Sequence, residues 1–186
     1  MLKQFFAFFL LCIFMHSIAI GQTCRFDSIK KAAPNERYLN NGDSTITDLE
    51  TGFIWMQCTV GLSSSTTPCD TGSIMKSTWG EALNYVQQLN LNDGYAGFND
   101  WRLPNIPELL TLAEKACFEP AINLDLFPDV EPLVNYWSST SDNTDRARAY
   151  SLGTYYGDDR RPLKSELHYI RLVRGGPNTA NYRINK

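Results

Sequence analysis

Two stretches of the chain carry apolar residues at the spacing of an amphipathic helix. Thr78 opens the first, because its side chain can cap the first turn and Glu81, three residues later, completes a capping box. Turn-forming residues at 92–94 end this helix. The apolar positions of its predicted buried face are Trp79, Ala82, Leu83, Val86 and Leu89.

The second helix is predicted to begin near Asn105, again with an acid, Glu108, three residues later. Pro107 is tolerated there, because the first turn of a helix has no internal partner for the missing N–H. The predicted core positions of this helix are Ile106, Leu109, Leu110 and Ala113.

β-Strand patterns lie on both sides of the helices. Thr45–Asp48 and 53–57 are predicted to pair around a tight turn at 49–52, in which Gly52 supplies the conformational freedom. Three later strands are predicted at 136–140, 147–154 and 169–174. Two helices packed on an antiparallel β-sheet with long irregular loops define an α+β fold.

Residues 1–21 have the order of a secretory signal peptide. Lys3 precedes an unbroken apolar run at 5–15, and Ala19 and Gly21 are the small residues that a signal peptidase reads. The run is shorter than the ~20 apolar residues of a membrane helix. We therefore predict a cleaved signal and an exported protein, periplasmic or extracellular; a buried N-terminal helix or an uncleaved anchor is the alternative.

Removal of residues 1–21 leaves four cysteines, which in an exported chain indicate two disulfides, although three pairings are possible. Cys58 and Cys69 flank a loop rich in Ser, Thr and Gly, so we predict a bridge between them and, by elimination, one between Cys24 and Cys117. Zinc binding is the rival interpretation, but no pair has the close Cys-x-x-Cys spacing of structural zinc sites.

Charge is distributed unevenly along the chain. After residue 21 the chain has 16 Lys and Arg and 20 Asp and Glu. From residue 143 onward, however, it has nine bases and only four acids. The C-terminal strands and loops are therefore predicted to carry a positive face. Alternatively, these bases pair with acids of the N-terminal half inside one domain. Export and the acidic balance disfavour nucleic acid as a partner.

Candidate catalytic chemistry is sparse. His168 is the only histidine after residue 21, and no Gly-x-Ser-x-Gly turn presents a serine to it. We assign no catalytic residue, and a carboxylate-based or metal-assisted hydrolase is kept as the alternative function. No cofactor is predicted apart from calcium, for which Asp142, Asn143 and Asp145 offer oxygen ligands in one loop.

Several motifs follow one another in an order that resembles the Lcl C-terminal domain family, the end domain of a bacterial collagen-like adhesin. The resemblance covers about 41–176, preceded by an extension at 22–40 and followed by a tail at 177–186. The motifs are Thr47-Asp48 with Thr51-Gly52 and Trp55, Trp79-x-Glu81-Ala82, Trp101-Arg102-Leu103-Pro104-Asn105 with Glu108-Leu109, Pro120-Ala121-Ile122-Asn123, Phe127-Pro128, Tyr136-Trp137-Ser138-Ser139 and Arg171-Leu172-Val173-Arg174-Gly175-Gly176.

Each motif also has an architectural interpretation. The four tryptophans are expected in the core, because large aromatic side chains dominate burial in small domains. Arg102 is expected to form a salt bridge with Asp48, Asp100 or Glu108. Ser138 and Ser139 are expected to bond to the backbone rather than to act as nucleophiles.

The resemblance implies a C-type-lectin-like fold, a surface or exported setting and, as in the adhesin, binding to sulfated polysaccharide. It does not carry over the collagen stalk, since no Gly-x-y run precedes the domain. Formylglycine-generating relatives use cysteines in the C-terminal part of the domain, which this chain lacks after Cys117.

We therefore predict a non-enzymatic binding domain for a polysaccharide or another cell-surface molecule; a structural envelope protein that contacts other proteins is a further alternative. Aromatic rings stack on sugars and bases hold anionic groups. The predicted contact residues are Tyr155, Tyr156, Arg160, Arg161 and Lys164. The sequence leaves the oligomeric state open.

Overall fold

The computed structural model describes residues 21–65 and 67–176. The predicted tail and all but Gly21 of the predicted signal peptide lie outside the described residues. The two helices are α1 (Trp79–Leu91) and α2 (Ile106–Leu110). The strands are β1 (Thr23–Cys24), β2 (Tyr38–Asn40), β3 (Thr45–Asp48), β4 (Phe53–Met56), β5 (Leu62–Ser63), β6 (Thr71–Gly72), β7 (Lys76–Ser77), β8 (Cys117–Phe118), β9 (Asn135–Ser141), β10 (Ala149–Gly153), β11 (Asp158–Arg160), β12 (His168–Tyr169) and β13 (Val173–Gly175).

A four-stranded antiparallel sheet contains the predicted hairpin, in the order β13-β4-β3-β2. The hairpin turn is closed by Asp48, whose carboxylate accepts hydrogen bonds from the backbone N–H of Glu50 at 3.0 Å and from the hydroxyl of Thr51 at 2.7 Å. Gly52 follows with φ 74°, a conformation that favours glycine. Local turn chemistry therefore produces the predicted strand pair.

A second sheet has five strands, in the order β11-β10-β9-β12-β7. Its β9–β12 pair is parallel, so the prediction of a wholly antiparallel sheet is wrong at this position. The predicted strand at 169–174 is also wrong as one element, because β12 joins this sheet and β13 joins the other. Between them, the carbonyls of Ile170 and Leu172 accept hydrogen bonds from the backbone N–H of Val60 and Met56, both at 3.0 Å.

Both predicted helix starts are present with complete capping boxes, Thr78 with Glu81 and Asn105 with Glu108. The predicted buried face of α1 is wrong at Leu83, which is 38% exposed. Tyr85 packs toward the core instead. Helix α2 has only five residues and ends before the buried Ala113.

The core contains three of the four tryptophans. Trp55, Trp101 and Trp137 are fully buried, whereas Trp79 is half-buried. The indole N–H of Trp101 donates to the carbonyl of Tyr95 at 2.9 Å, and that of Trp137 donates to the carbonyl of Ser77 at 2.8 Å. The rings of Trp101 and Trp137 therefore combine a large apolar surface with a satisfied polar atom.

The two disulfides join the predicted pairs, Cys24 with Cys117 and Cys58 with Cys69. Around the first, the extension at 22–40 packs on the domain: β1 pairs with β8, and β2 is an edge strand of the four-stranded sheet. The buried carboxylate of Glu114 accepts hydrogen bonds from the backbone N–H groups of Ala32 and Ala33, at 3.0 and 2.9 Å. Within the described ranges, no helix has the length and hydrophobicity that a membrane crossing requires.

Candidate functional site

The turn between β10 and β11, at residues 154–157, carries the two predicted contact tyrosines; we call it the tyrosine turn. Gly157 has φ 66°, and a Cβ at this position would lie 2.8 Å from the Cβ of Ala113. The N–H of Gly157 donates to the carbonyl of Gly153 at 3.0 Å, and its own carbonyl accepts from Nζ of Lys115 at 2.6 Å. The base of the turn is therefore fixed by packing and hydrogen bonds.

Tyr155 and Tyr156 form an edge-to-face pair with ring centroids 4.4 Å apart. The ring of Tyr155 also lies 6.4 Å from that of Phe118, and 60% of Tyr156 is exposed to solvent. The negative charge of Glu119 raises the pKa of Tyr155, and the Tyr155 hydroxyl lies 3.4 Å from the Glu119 carboxylate, to which it donates. Tyr155 is therefore a neutral phenol whose aromatic surface is partly open.

Tyr155, Arg160 and Arg161 line one open pocket of about 430 Å³, which we call the arginine pocket. Arg160 lies 2.9 Å from the Asp158 carboxylate and Arg161 lies 3.5 Å from that of Asp142, and both arginine side chains are about half exposed. Both partners of the Arg160–Asp158 pair are exposed, and such pairs contribute little stability, so the Arg160 guanidinium can exchange its carboxylate partner for a ligand anion. The Arg161 guanidinium is exposed as well, although its partner Asp142 is buried. The remaining lining residues are Leu133, Val134, Asn135, Gly153, Thr154 and Pro162.

The other two predicted contact residues lie outside the arginine pocket. Tyr156 lines a different pocket, described below. Nζ of Lys164 donates to the hydroxyl of Ser141 at 2.7 Å and to the carbonyl of Arg146 at 2.9 Å, and it lies 4.4 Å above the ring of Trp79. The five residues therefore do not converge at one point, and Lys164 has a structural role.

Other bases of the C-terminal part pair with acids from earlier in the chain. Arg171 contacts Asp129 at 3.0 Å, and Arg174 contacts Asp100 at 2.6 Å. Arg148, in contrast, pairs with the neighbouring Asp145 at 3.1 Å. The alternative interpretation, pairing with acids of the N-terminal half, thus holds for Arg171 and Arg174.

The candidate calcium ligands lie in a loop already ordered by the protein's own donors. One carboxylate oxygen of Asp142 accepts from the N–H and hydroxyl of Thr144, and these bonds lower the pKa of Asp142. Its other oxygen faces Arg161. Asn143 is exposed, and Asp145 accepts from Arg148. A calcium ion here would compete with two arginines, and no group of three or more His, Cys, Asp or Glu that could hold a metal occurs within 21–65 and 67–176.

The histidine and serines considered as catalytic candidates make packing contacts and hydrogen bonds within the fold. The ring of His168 packs 4.7 Å from that of Trp137, and its Nε2 lies 3.4 Å from Glu166. Burial lowers the pKa of His168, although Glu166 opposes this effect. The hydroxyls of Ser138 and Ser139 donate to the carbonyls of Tyr150 and Pro104, at 2.8 and 3.3 Å, as expected.

The motif arginine Arg102 pairs with Glu108, one of its three expected partners, at 2.6 Å. The other two expected acids bind different arginines: Asp48 pairs with Arg37 at 2.5 Å, and Asp100 pairs with Arg174. The motif around Arg102 thus fixes α2 to the chain before it.

Sequence reasoning missed the apolar wall of the arginine pocket, including Leu133 and Val134, which lie in the irregular stretch before β9. It also missed Arg25 and Lys115, which line a second pocket together with Tyr156. The predicted Cys24–Cys117 bridge contained a signal for this second pocket, because it brings residue 25 next to residues 115–118.

Taken together, these features define a disulfide-linked α+β domain whose open pockets are lined by arginine and tyrosine. The chain belongs to the Lcl C-terminal domain family, whose sequence model matches residues 44–174. This match confirms the resemblance predicted from the ordered motifs and lies within the predicted 41–176. A search of curated proteins finds no relative that matches the chain.

Proposed function

We propose that this chain is an exported, non-enzymatic binding domain of C-type-lectin-like fold that recognises an anionic polysaccharide. The observation that supports the proposal is the arginine pocket, in which Tyr155, Arg160 and Arg161 line one open concave surface. Family membership supports it independently, because the family takes its name from the end domain of an adhesin.

The chemistry of the arginine pocket suits a sugar that carries sulfate or carboxylate groups. Guanidinium groups bind such anions through paired, charge-assisted hydrogen bonds. The ring of Tyr155 and the exposed side chain of Leu133 offer apolar surface for the faces of sugar rings. Arg160 is held near the pocket by the exposed Asp158, so a ligand can displace this contact at a small free-energy cost. Arg161 lies at a longer distance, 3.5 Å, from the buried Asp142.

The two disulfides support export, since such bonds persist mainly in oxidising compartments. The predicted signal peptide agrees with this setting. Cell fractionation of a tagged full-length chain, with N-terminal sequencing of the mature protein, tests it: we expect a periplasmic or extracellular form that begins near residue 22.

Heparin affinity of the oxidised protein tests the binding proposal. The variant R160Q/R161Q should bind heparin about tenfold or more weakly at low salt, because it removes two charge-assisted contacts. The control R146Q/K76Q removes the same charge from exposed residues outside the arginine pocket, and we expect its affinity to stay within about twofold of wild type.

Equal weakening by both variants would indicate diffuse attraction to a polyanion and overturn the site assignment. A third arm adds a chelator: unchanged binding is expected, since Arg161 already faces Asp142. Loss of binding with chelator would instead support the predicted calcium site.

A further inference from the structure

A second pocket of about 390 Å³ is lined by Tyr156, the other ring of the tyrosine pair; we call it the Cys117 pocket. Tyr156, which does not line the arginine pocket, is part of its wall, together with Phe118 and Ile29. Two bases, Arg25 and Lys115, also line it. It therefore has the same combination of aromatic and cationic side chains as the arginine pocket.

The Cys117 pocket is built by the extension at 22–40. The disulfide joins Cys24 to Cys117, and the pairing of β1 with β8 places Thr23 opposite Phe118. The backbone N–H of Arg25 donates to the carbonyl of Ala116 at 2.8 Å. These contacts place Arg25 at the edge of the pocket.

Three aromatic rings connect the two pockets; we call them the aromatic ridge. Phe118 lines the Cys117 pocket and lies 6.4 Å from Tyr155, which lines the arginine pocket. Tyr155 in turn lies 4.4 Å from Tyr156, which lines the Cys117 pocket. Lys115 links the Cys117 pocket to the tyrosine turn, because it lines that pocket and donates to the carbonyl of Gly157 at the base of the turn.

We infer that the arginine pocket, the aromatic ridge and the Cys117 pocket form one continuous surface that binds an extended anionic polysaccharide chain across several sugar units. This inference rests on the proposed function and adds to it the length of the ligand. Its basis is charge complementarity at both ends: Arg160 and Arg161 on one side, and Arg25 and Lys115 on the other. The aromatic ridge supplies the stacking surface between them.

An acid also contacts the aromatic ridge. Glu119 accepts from the hydroxyl of Tyr155 at 3.4 Å, so a polyanion that crosses the ridge passes close to a negative charge. The variant E119Q preserves size and removes this charge. It should therefore strengthen the binding of a long chain about twofold and leave the binding of a short one unchanged.

A series of size-defined heparin fragments, from disaccharide to octasaccharide, tests the inference by calorimetry at low salt. Wild-type affinity should rise with length beyond the disaccharide. The variant R25Q should bind the octasaccharide about five- to tenfold more weakly and the disaccharide as wild type does. R160Q/R161Q should weaken binding at every length, and R146Q serves as the charge control.

The variant R25Q/K115Q removes both bases of the Cys117 pocket. Because Lys115 also supports the tyrosine turn, this double variant could unfold at a lower temperature. In that case the result for R25Q alone decides the test. An affinity that does not grow with length, or an R25Q variant that equals R146Q at every length, overturns the extended surface while leaving the arginine pocket in place. Binding of no fragment by wild type overturns the proposed function itself. Binding to vesicles that contain phosphatidylglycerol, without binding to any fragment, would assign the surface to lipid and contradict both.

Discussion

The basic C-terminal part of the chain places its arginines in two contrasting regions. Arg171 lies between the two sheets with 2% of its side chain exposed, and its partner Asp129 is equally buried at 3%. Arg161 lies beside the arginine pocket with 55% of its side chain exposed. The two residues are ten positions apart in sequence, and each faces one carboxylate.

The interior arginine is held on all sides. It donates to the backbone carbonyls of Met56 and Gln57, to the hydroxyl of Thr59 and to Asp129. Burial alone would raise the pKa of Asp129, but the charge of Arg171 and hydrogen bonds from Thr59 outweigh it and lower that pKa. The comparison shows that the basic residues of one stretch of sequence can be of two kinds. Some, such as Arg171, are buried and organise the core, whereas others, such as Arg161, are exposed and accessible to a ligand.

We expect the largest loss of stability when the buried Arg171–Asp129 pair is broken. Arg171→Met leaves the carboxylate of Asp129 buried without its cation, and removal of one partner of a buried pair destabilises a protein by about 3–5 kcal/mol. Denaturant unfolding followed by tryptophan fluorescence should show this loss of free energy of unfolding. If Arg171→Met were as stable as wild type, the interior pair would not organise the junction of the sheets.

We expect an intermediate effect on the free energy of unfolding when the pH is lowered. Because the folded-state pKa of Asp129 lies below its unfolded value of about 3.9, ionised Asp129 stabilises the fold above that pH, and the contribution is lost as the pH falls through the folded pKa. Asp48, whose pKa is also lowered, adds to the same loss. The free energy of unfolding of Asp129→Asn, measured between pH 5 and 2, should therefore fall less steeply than that of wild type.

We expect the smallest loss of stability from the exposed arginines of the arginine pocket. The double variant R160Q/R161Q breaks the exposed Arg160–Asp158 pair and the 3.5 Å contact of the exposed Arg161 with the buried Asp142, which keeps its hydrogen bonds from Thr144. It should therefore reduce the free energy of unfolding by only about 1 kcal/mol. The same denaturant titration measures it, with R146Q/K76Q as the control. A loss as large as that of Arg171→Met would mean that Arg160 and Arg161 are architectural and that the two regions do not differ in kind.

Local sequence signals predicted local structure well. The capping boxes of α1 and α2 and the turn closed by Asp48 depend on residues within three positions of one another, so the chain determines them without its tertiary context. The Cys58–Cys69 pair was predicted from the loop that it closes, and Cys24–Cys117 by elimination.

Errors arose where distant segments decide the outcome. Residues 169–174 have the pattern of one strand, but hydrogen bonds to Met56 and Val60 divide it between two sheets. Leu83 has the spacing of a core residue, but Tyr85 packs against the core instead. Of the five predicted contact residues, three line one pocket, because the return of β11 along β10 brings Arg160 and Arg161 near Tyr155. Lys164 lies beyond this hairpin, where Ser141 and Trp79 hold it.

The glycine at the base of the tyrosine turn has a consequence for how such domains can diversify. Gly157 fits against Ala113 and Ala121 through backbone and small side chains, whereas the exposed positions of the turn and β11 contribute little to the fold. The residues that shape the turn thus differ from those to which we assign ligand contacts. We expect that substitutions at Tyr156, Asp159 and Arg160 can retune specificity while expression and folding are preserved, which makes this hairpin a suitable position for a randomised library.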